Sequence, residues 1–131
     1  PSCLIANFRY SSGYCVDGVV EVGSYDANNN ELITVKSTRS AYGLLDTVGN
    51  AWEWVADAYD APRYRDAPDV DPQGPEECAM TVGGKRGACS YHVIRGGSYN
   101  SVQDTTRSTT RSLARVGVFD VNIGMRCAYD R

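Results

Sequence analysis

The chain has 131 residues, 42% hydrophobic and 22% charged, which fits one soluble domain with a single core. A formal net charge of −3 gives no general attraction to phosphate backbones, so nucleic acid is not an expected partner. No apolar stretch approaches the roughly 18 residues of a membrane span.

The opening, Pro1-Ser2-Cys3-Leu4-Ile5-Ala6, has no basic leader region and reads as a cut end. Residues 19–25 alternate and predict a short strand, with Val20, Val22 and Ser24 against Val19, Glu21, Gly23 and Tyr25. Residues 26–40 are polar apart from Leu32, Ile33 and Val35 and read as a surface insertion. Residues 51–58 (AWEWVADA) read as a strand or one helical turn; if extended, Trp52 and Trp54 share one face and point into a core. Residues 57–75 form a long acidic loop ending in Asp71-Pro72-Gln73-Gly74-Pro75, a rigid turn rather than a flexible one. His92-Val93-Ile94-Arg95 predicts a second strand that runs into Gly96-Gly97, and residues 122–129 predict a last one. No amphipathic helix is evident.

The five cysteines contain no CxxC pair, and His92 is the single histidine, so a zinc site is not expected. Cys78 with Cys89, and Cys3 with Cys15, could each close a loop, leaving Cys127 free; the other reading is five reduced thiols packed as small apolar groups.

Four segments in order then carry a resemblance. Residues 42–55 read YGLLDTVGNAWEWV, 71–75 DPQGP, 93–99 VIRGGSY and 122–128 NIGMRCA. Together they resemble the formylglycine-generating enzyme, or sulfatase-modifying factor, family. The resemblance implies an α+β, C-type lectin-like fold with sparse short strands and long loops. It covers the C-terminal part of one such domain over residues 1–131, the amino-terminal strands being absent or supplied as a separate chain.

The resemblance also implies a calcium site in the first segment. Asp46 and Glu53 would ligate by side chain and Gly49 and Ala51 by carbonyl, a set of hard oxygens that suits calcium. A second calcium would use Asn7, with Asp17 as its nearest acidic candidate. The residues themselves leave another reading open, in which Asp46 caps a turn and Glu53 pairs with an arginine such as Arg95 or Arg126. Catalytic family members bind copper through two cysteines after the RGGS segment. Here those positions hold Ser101 and Thr106, and hydroxyls do not replace soft thiolates for copper(I). The expectation is therefore no copper, no catalytic residue, and a non-catalytic, calcium-stabilised binding or scaffold module.

Its partner would be a protein or a glycan, held by Tyr99, Asn100, Asp104 and Arg107 in the loop after Gly96-Gly97. Tyr99 could equally serve as a core residue. Arg107 and Arg111 would more often pair with carboxylates than hold a ligand. Two alternatives are a retroelement-diversified ligand-binding protein of the same fold, variable over residues 100–121, and an oxidoreductase of the family whose metal ligands come from elsewhere. An extracellular or periplasmic location is expected over a cytoplasmic one.

Overall fold

The computed structural model describes residues 2–26, 39–61, 67–68, 70, 74–78 and 87–127. Six strands form two sheets: β1 (Arg9–Tyr10), β2 (Gly13–Tyr14), β3 (Trp52–Ala58), β4 (Tyr91–Arg95), β5 (Ser112–Arg115) and β6 (Ile123–Gly124). One short 3-10 helix, Gln103–Thr106, lies between β4 and β5. β1 and β2 make a tight antiparallel hairpin, and the other four are ordered β5-β4-β3-β6.

The two central strands, β3 and β4, carry the aromatic and β-branched residues Trp52, Trp54, Val93 and Ile94. β4 is antiparallel to both neighbours, with Glu53 opposite Arg95, Trp54 opposite Ile94 and Val93 opposite Leu113. A register shift between Trp54 and Ala58 bends β3. β6 joins the far edge in parallel, Trp52 beside Ile123 and Glu53 beside Gly124. The buried apolar set among the described residues is small: Ala6, Phe8, Tyr25, Cys78, Val93, Ile94 and Ala114.

Two disulfides supplement that core, Cys3–Cys15 and Cys78–Cys89, with Cα atoms 5.2 and 5.0 Å apart. Cys127 is the free thiol and is exposed. The first bridge ties the chain ahead of the hairpin to its return strand; the second fastens a backbone bridge between Cys78 and Gly87.

Several expectations are corrected. Residues 19–25 are not a strand: Val22–Tyr25 turn, Gly23 has φ +87°, and Val19 and Val22 are exposed. What looked like strand pairing is supplied by a side chain, since Asn50 Oδ1 accepts from Val20 N at 2.8 Å and Asn50 Nδ2 donates to Val20 O at 3.0 Å. Of the closing strand expected over 122–129, Ile123–Gly124 is a strand; past it Arg126 turns to an acidic partner and Met125 is exposed, while residues 128–129 lie outside the described set. Trp52 and Trp54 are only half buried, Trp54 lying edge-on to His92 at 6.5 Å. The insertion over 26–40 falls mostly outside the described residues. Its first residue, Asp26, is fully buried rather than surface-exposed and pairs with Arg39 at 2.5 Å. Residues 71–73 of the proline turn also lie outside the described set; Gly74 sits against Asp57, where an added Cβ would meet Oδ1 at 3.0 Å.

Candidate metal loop and binding face

The loop from Asp46 to Asn50 is curled by three left-handed residues, Asp46 (φ +50°), Gly49 (φ +74°) and Asn50 (φ +67°). Aspartate and asparagine tolerate that conformation better than other side chains, and non-glycine residues held there gather at functional sites. A backbone seam holds the curl in place. Gly49 and Asn7 form a parallel bridge, Asn50 N donates to Asn7 O at 2.7 Å, Gly49 N donates to Gly96 O at 2.8 Å and Tyr99 N donates to Asn50 O at 2.8 Å. The YGLLD…WEW and RGGSY segments, distant in sequence, are therefore joined through their main chains.

Asn7 belongs to this seam. It is fully buried; its Nδ2 donates to Gly18 O at 2.8 Å and its Oδ1 accepts from Val16 N at 3.1 Å. Asp17 is exposed. The structure thus gives Asn7 a fastening role, pinning residues 16–18 to the loop.

Asp46 Oδ2 accepts from Gly23 N at 2.5 Å, whereas Oδ1 is buried without a hydrogen-bond partner. A buried anionic oxygen in that state is costly unless something positive or hydrogen-bonding meets it. Tyr25 is buried nearby; that burial, and then the Asp46 charge, raise its phenol above the ordinary tyrosine value. Glu53, placed on β3 beside Gly124, receives a two-pronged grip from Arg126: Nε to Oε2 at 3.0 Å and an Nη to Oε1 at 2.6 Å. The same guanidinium donates to Leu45 O at 2.9 Å. Its hydrogen bonds to Glu53 raise the Arg126 pKa above the usual value, burial opposes this, and the charges of Glu53 and Asp46 add to it.

These donors fit a hard cation in chemical kind. Asp46 Oδ1 lacks a partner, and each Glu53 oxygen has a lone pair beyond the one that Arg126 uses. Among the described residues no three His, Cys, Asp or Glu side chains converge, so backbone carbonyls such as those of Gly49 and Ala51, with water, would complete a coordination shell. Of the two readings open for Glu53, the ion pair with Arg126 is present.

The positions matched to copper thiolates are filled. Ser101 is buried, its Oγ accepts from Ser98 N at 3.0 Å, and the two serine hydroxyls lie 3.0 Å apart. Thr106 is buried, its hydroxyl donates to Gln103 O at 2.8 Å, and its methyl packs where a Cβ on Gly97 would come within 2.8 Å. Gly97 is required by that packing.

Tyr99, Asn100, Asp104 and Arg107 lie around the short helix. Asn100, Asp104 and Arg107 are exposed, and Arg107 pairs with Asp104 at 2.7 Å, the two side chains 70% and 81% exposed. Tyr99 is half buried. Its ring lies 6.2 Å from that of Tyr14, which brings the β1–β2 hairpin to the same face. Arg9 N donates to Ser101 O at 2.9 Å and fixes that placement. Tyr14 was missed in the sequence because the hairpin is two residues per strand, too short to show a period. Arg111 faces elsewhere, stacked on Tyr59 at 4.7 Å and donating to the carbonyls of Asp60 and Ala61. His92 lines a separate apolar groove of about 690 Å³ with Trp54, Val116, Val118, Phe119 and Ile123.

A small sheet clasped by long loops, with two glycine-bearing segments zipped at its edge, defines a C-type lectin-like fold of the formylglycine-generating-enzyme kind. The family profile described as "Sulfatase-modifying factor enzyme 1-like domain" matches residues 6–131. The chain belongs to that family. It is 37% identical over 100 residues to the formylglycine-generating enzyme of Streptomyces coelicolor, covering 73% of this chain and 28% of that protein. It is 33% identical over 122 residues to the serine/threonine-protein kinase Pkn1 of Chlamydia trachomatis serovar L2, covering 93% of this chain and 18% of that one. The chain therefore spans less than a third of either relative. The solved structure of PvdO from Pseudomonas aeruginosa superposes with a TM-score of 0.63 at 23% identity, over 95% of this chain and 38% of that one, which shows the shared fold. Among the described residues no helix is long and apolar enough to cross a membrane.

Proposed function

We propose that the chain is part of a non-catalytic binding module of the family, supported by calcium at the Asp46 loop. The observation that carries the first half is the use made of Ser101 and Thr106. Both hydroxyls are buried and spent on internal hydrogen bonds, which leaves no soft ligand pair for copper at that place. The likeness to a protein named as a kinase, of which the matching region is 18%, is consistent with a domain not tied to one chemistry. Copper-loaded protein incubated with a sulfatase-type cysteine peptide should leave the peptide unchanged by mass spectrometry. Formation of the aldehyde product would overturn the reading.

The partner, a protein or a glycan, would meet the face formed by Tyr99, Asn100, Asp104 and Arg107 with Tyr14 beside them. An aromatic pair next to an exposed ion pair combines apolar area with directional hydrogen bonds. The two disulfides favour an oxidising compartment, extracellular or periplasmic.

For calcium the expectation is that Asp46→Asn, which keeps shape and removes charge, abolishes any rise of melting temperature on adding calcium over chelator. Metal binding to the folded state raises stability by linkage. An undiminished rise in that variant would remove Asp46 from the site.

A further inference from the structure

The pair formed by Glu53 and Arg126 sets a fixed positive charge beside the two carboxylates of the calcium reading. An arginine is always charged in a protein. Arg126 contacts both oxygens of Glu53 and also a backbone carbonyl of the residue just before Asp46. Its three hydrogen bonds join β6's continuation, β3 and the start of the loop, at side chains only 30% and 29% exposed. A fork with that geometry orients the carboxylate as well as neutralising it.

We propose that Arg126 is the resident counter-charge of the metal loop: it keeps the loop in shape without a metal and sets how weakly the loop takes a divalent cation. This rests on the calcium reading above. Asp46 and Glu53 contribute two negative charges, and Arg126 offsets one. A cation arriving at Asp46 Oδ1 therefore meets half the opposing charge, with a positive group held on its second carboxylate. The loop of this chain is then a weak calcium site, and its fold is only partly dependent on the ion.

The test measures calcium binding by calorimetry, and melting temperature in calcium and in chelator, on the full chain and two variants. Arg126→Gln removes the charge; Arg126→Lys keeps it without the fork. In Arg126→Gln, calcium should bind about ten-fold more tightly, the scale expected when a unit charge beside a divalent ion is removed from a partly solvated site. The melting temperature in chelator should fall, and the rise on adding calcium should exceed that of the unmodified chain. Arg126→Lys should keep the original affinity within about two-fold, since the Coulomb contribution is preserved, while losing part of the metal-free stability. If Arg126→Gln is unfolded in chelator, millimolar calcium should refold it; failure to refold overturns the proposal. Unchanged or weaker binding in Arg126→Gln, with calcium still bound by the unmodified chain, overturns the role of Arg126 and leaves the calcium reading standing. Absence of binding in all three proteins overturns both.

Discussion

Gly49→Ala should leave little or no folded protein, with a loss beyond about 4 kcal/mol that places it among the most damaging single substitutions. Two effects add. Alanine at φ +74° carries a left-handed penalty of roughly 1–2 kcal/mol. The larger effect is contact: the new Cβ would lie 2.1 Å from Asn7 O and 2.9 Å from its carbonyl carbon. Asn7 cannot retreat cheaply, because that oxygen accepts from Asn50 N and its buried side chain is tied to Val16 and Gly18. Gly43→Ala is the control, since Gly43 also has positive φ but nothing lies within 4 Å of its added Cβ. It should cost only about 1–2 kcal/mol. Denaturant melts of both variants decide the matter; near-equal midpoints would show that the close approach relaxes freely.

Breaking the disulfides should have the next largest effect. Cys3–Cys15 and Cys78–Cys89 close segments with sequence separations of 12 and 11, and each stabilises a chain of this kind by about 3 kcal/mol, mainly through the unfolded state. A domain of this length has about 5–15 kcal/mol in total. Among the described residues the buried apolar set is small, so losing both bridges should lower the melting temperature by tens of degrees or unfold the chain. Alkylation checks the pairing: native protein should take up label at Cys127 alone, and reduced, denatured protein at all five cysteines. Melting that is unchanged by Cys3→Ser with Cys15→Ser would refute a stapling role for the first bridge.

The two central strands were legible because Trp52, Trp54, Val93 and Ile94 are aromatic or β-branched residues in short runs, the second running into Gly96-Gly97. β5 was not, because Ser112-Leu113-Ala114-Arg115 has one large apolar residue and takes its strand form from pairing with β4. The valines of 19–25 misled for the opposite reason: their pattern is strand-like, but their partner is the Asn50 side chain, which no periodicity reveals. In the loop around Asp46, the sequence offered Arg126 as one of two partners for Glu53, and that ion pair is present. Choosing between Arg95 and Arg126 as its partner required the turn after β6; Arg95 instead donates to the carbonyls of Ser108 and Thr110. Asn7 was read only as a ligand of a second calcium; the use of both its amide atoms within the fold depends on long-range contacts that the sequence does not display.

The seam through Asn7, Gly49, Asn50, Gly96 and Tyr99 also bears on how this domain can change over evolutionary time. β3 and β4 find each other by direct pairing, and Tyr59 N and Tyr91 O close the ladder behind them. The described part of the connection between those strands carries the Cys78–Cys89 bridge and Gly74, which packs on Asp57. Lengthening such a connection two-fold costs only about 0.6 kcal/mol of closure entropy. Closure entropy alone therefore does not limit the length of that connection, whereas a single added residue between Asp46 and Trp52 would break the curl. The loop around Asp46 is thus expected to keep a fixed count of residues, whatever the length of the connection between β3 and β4.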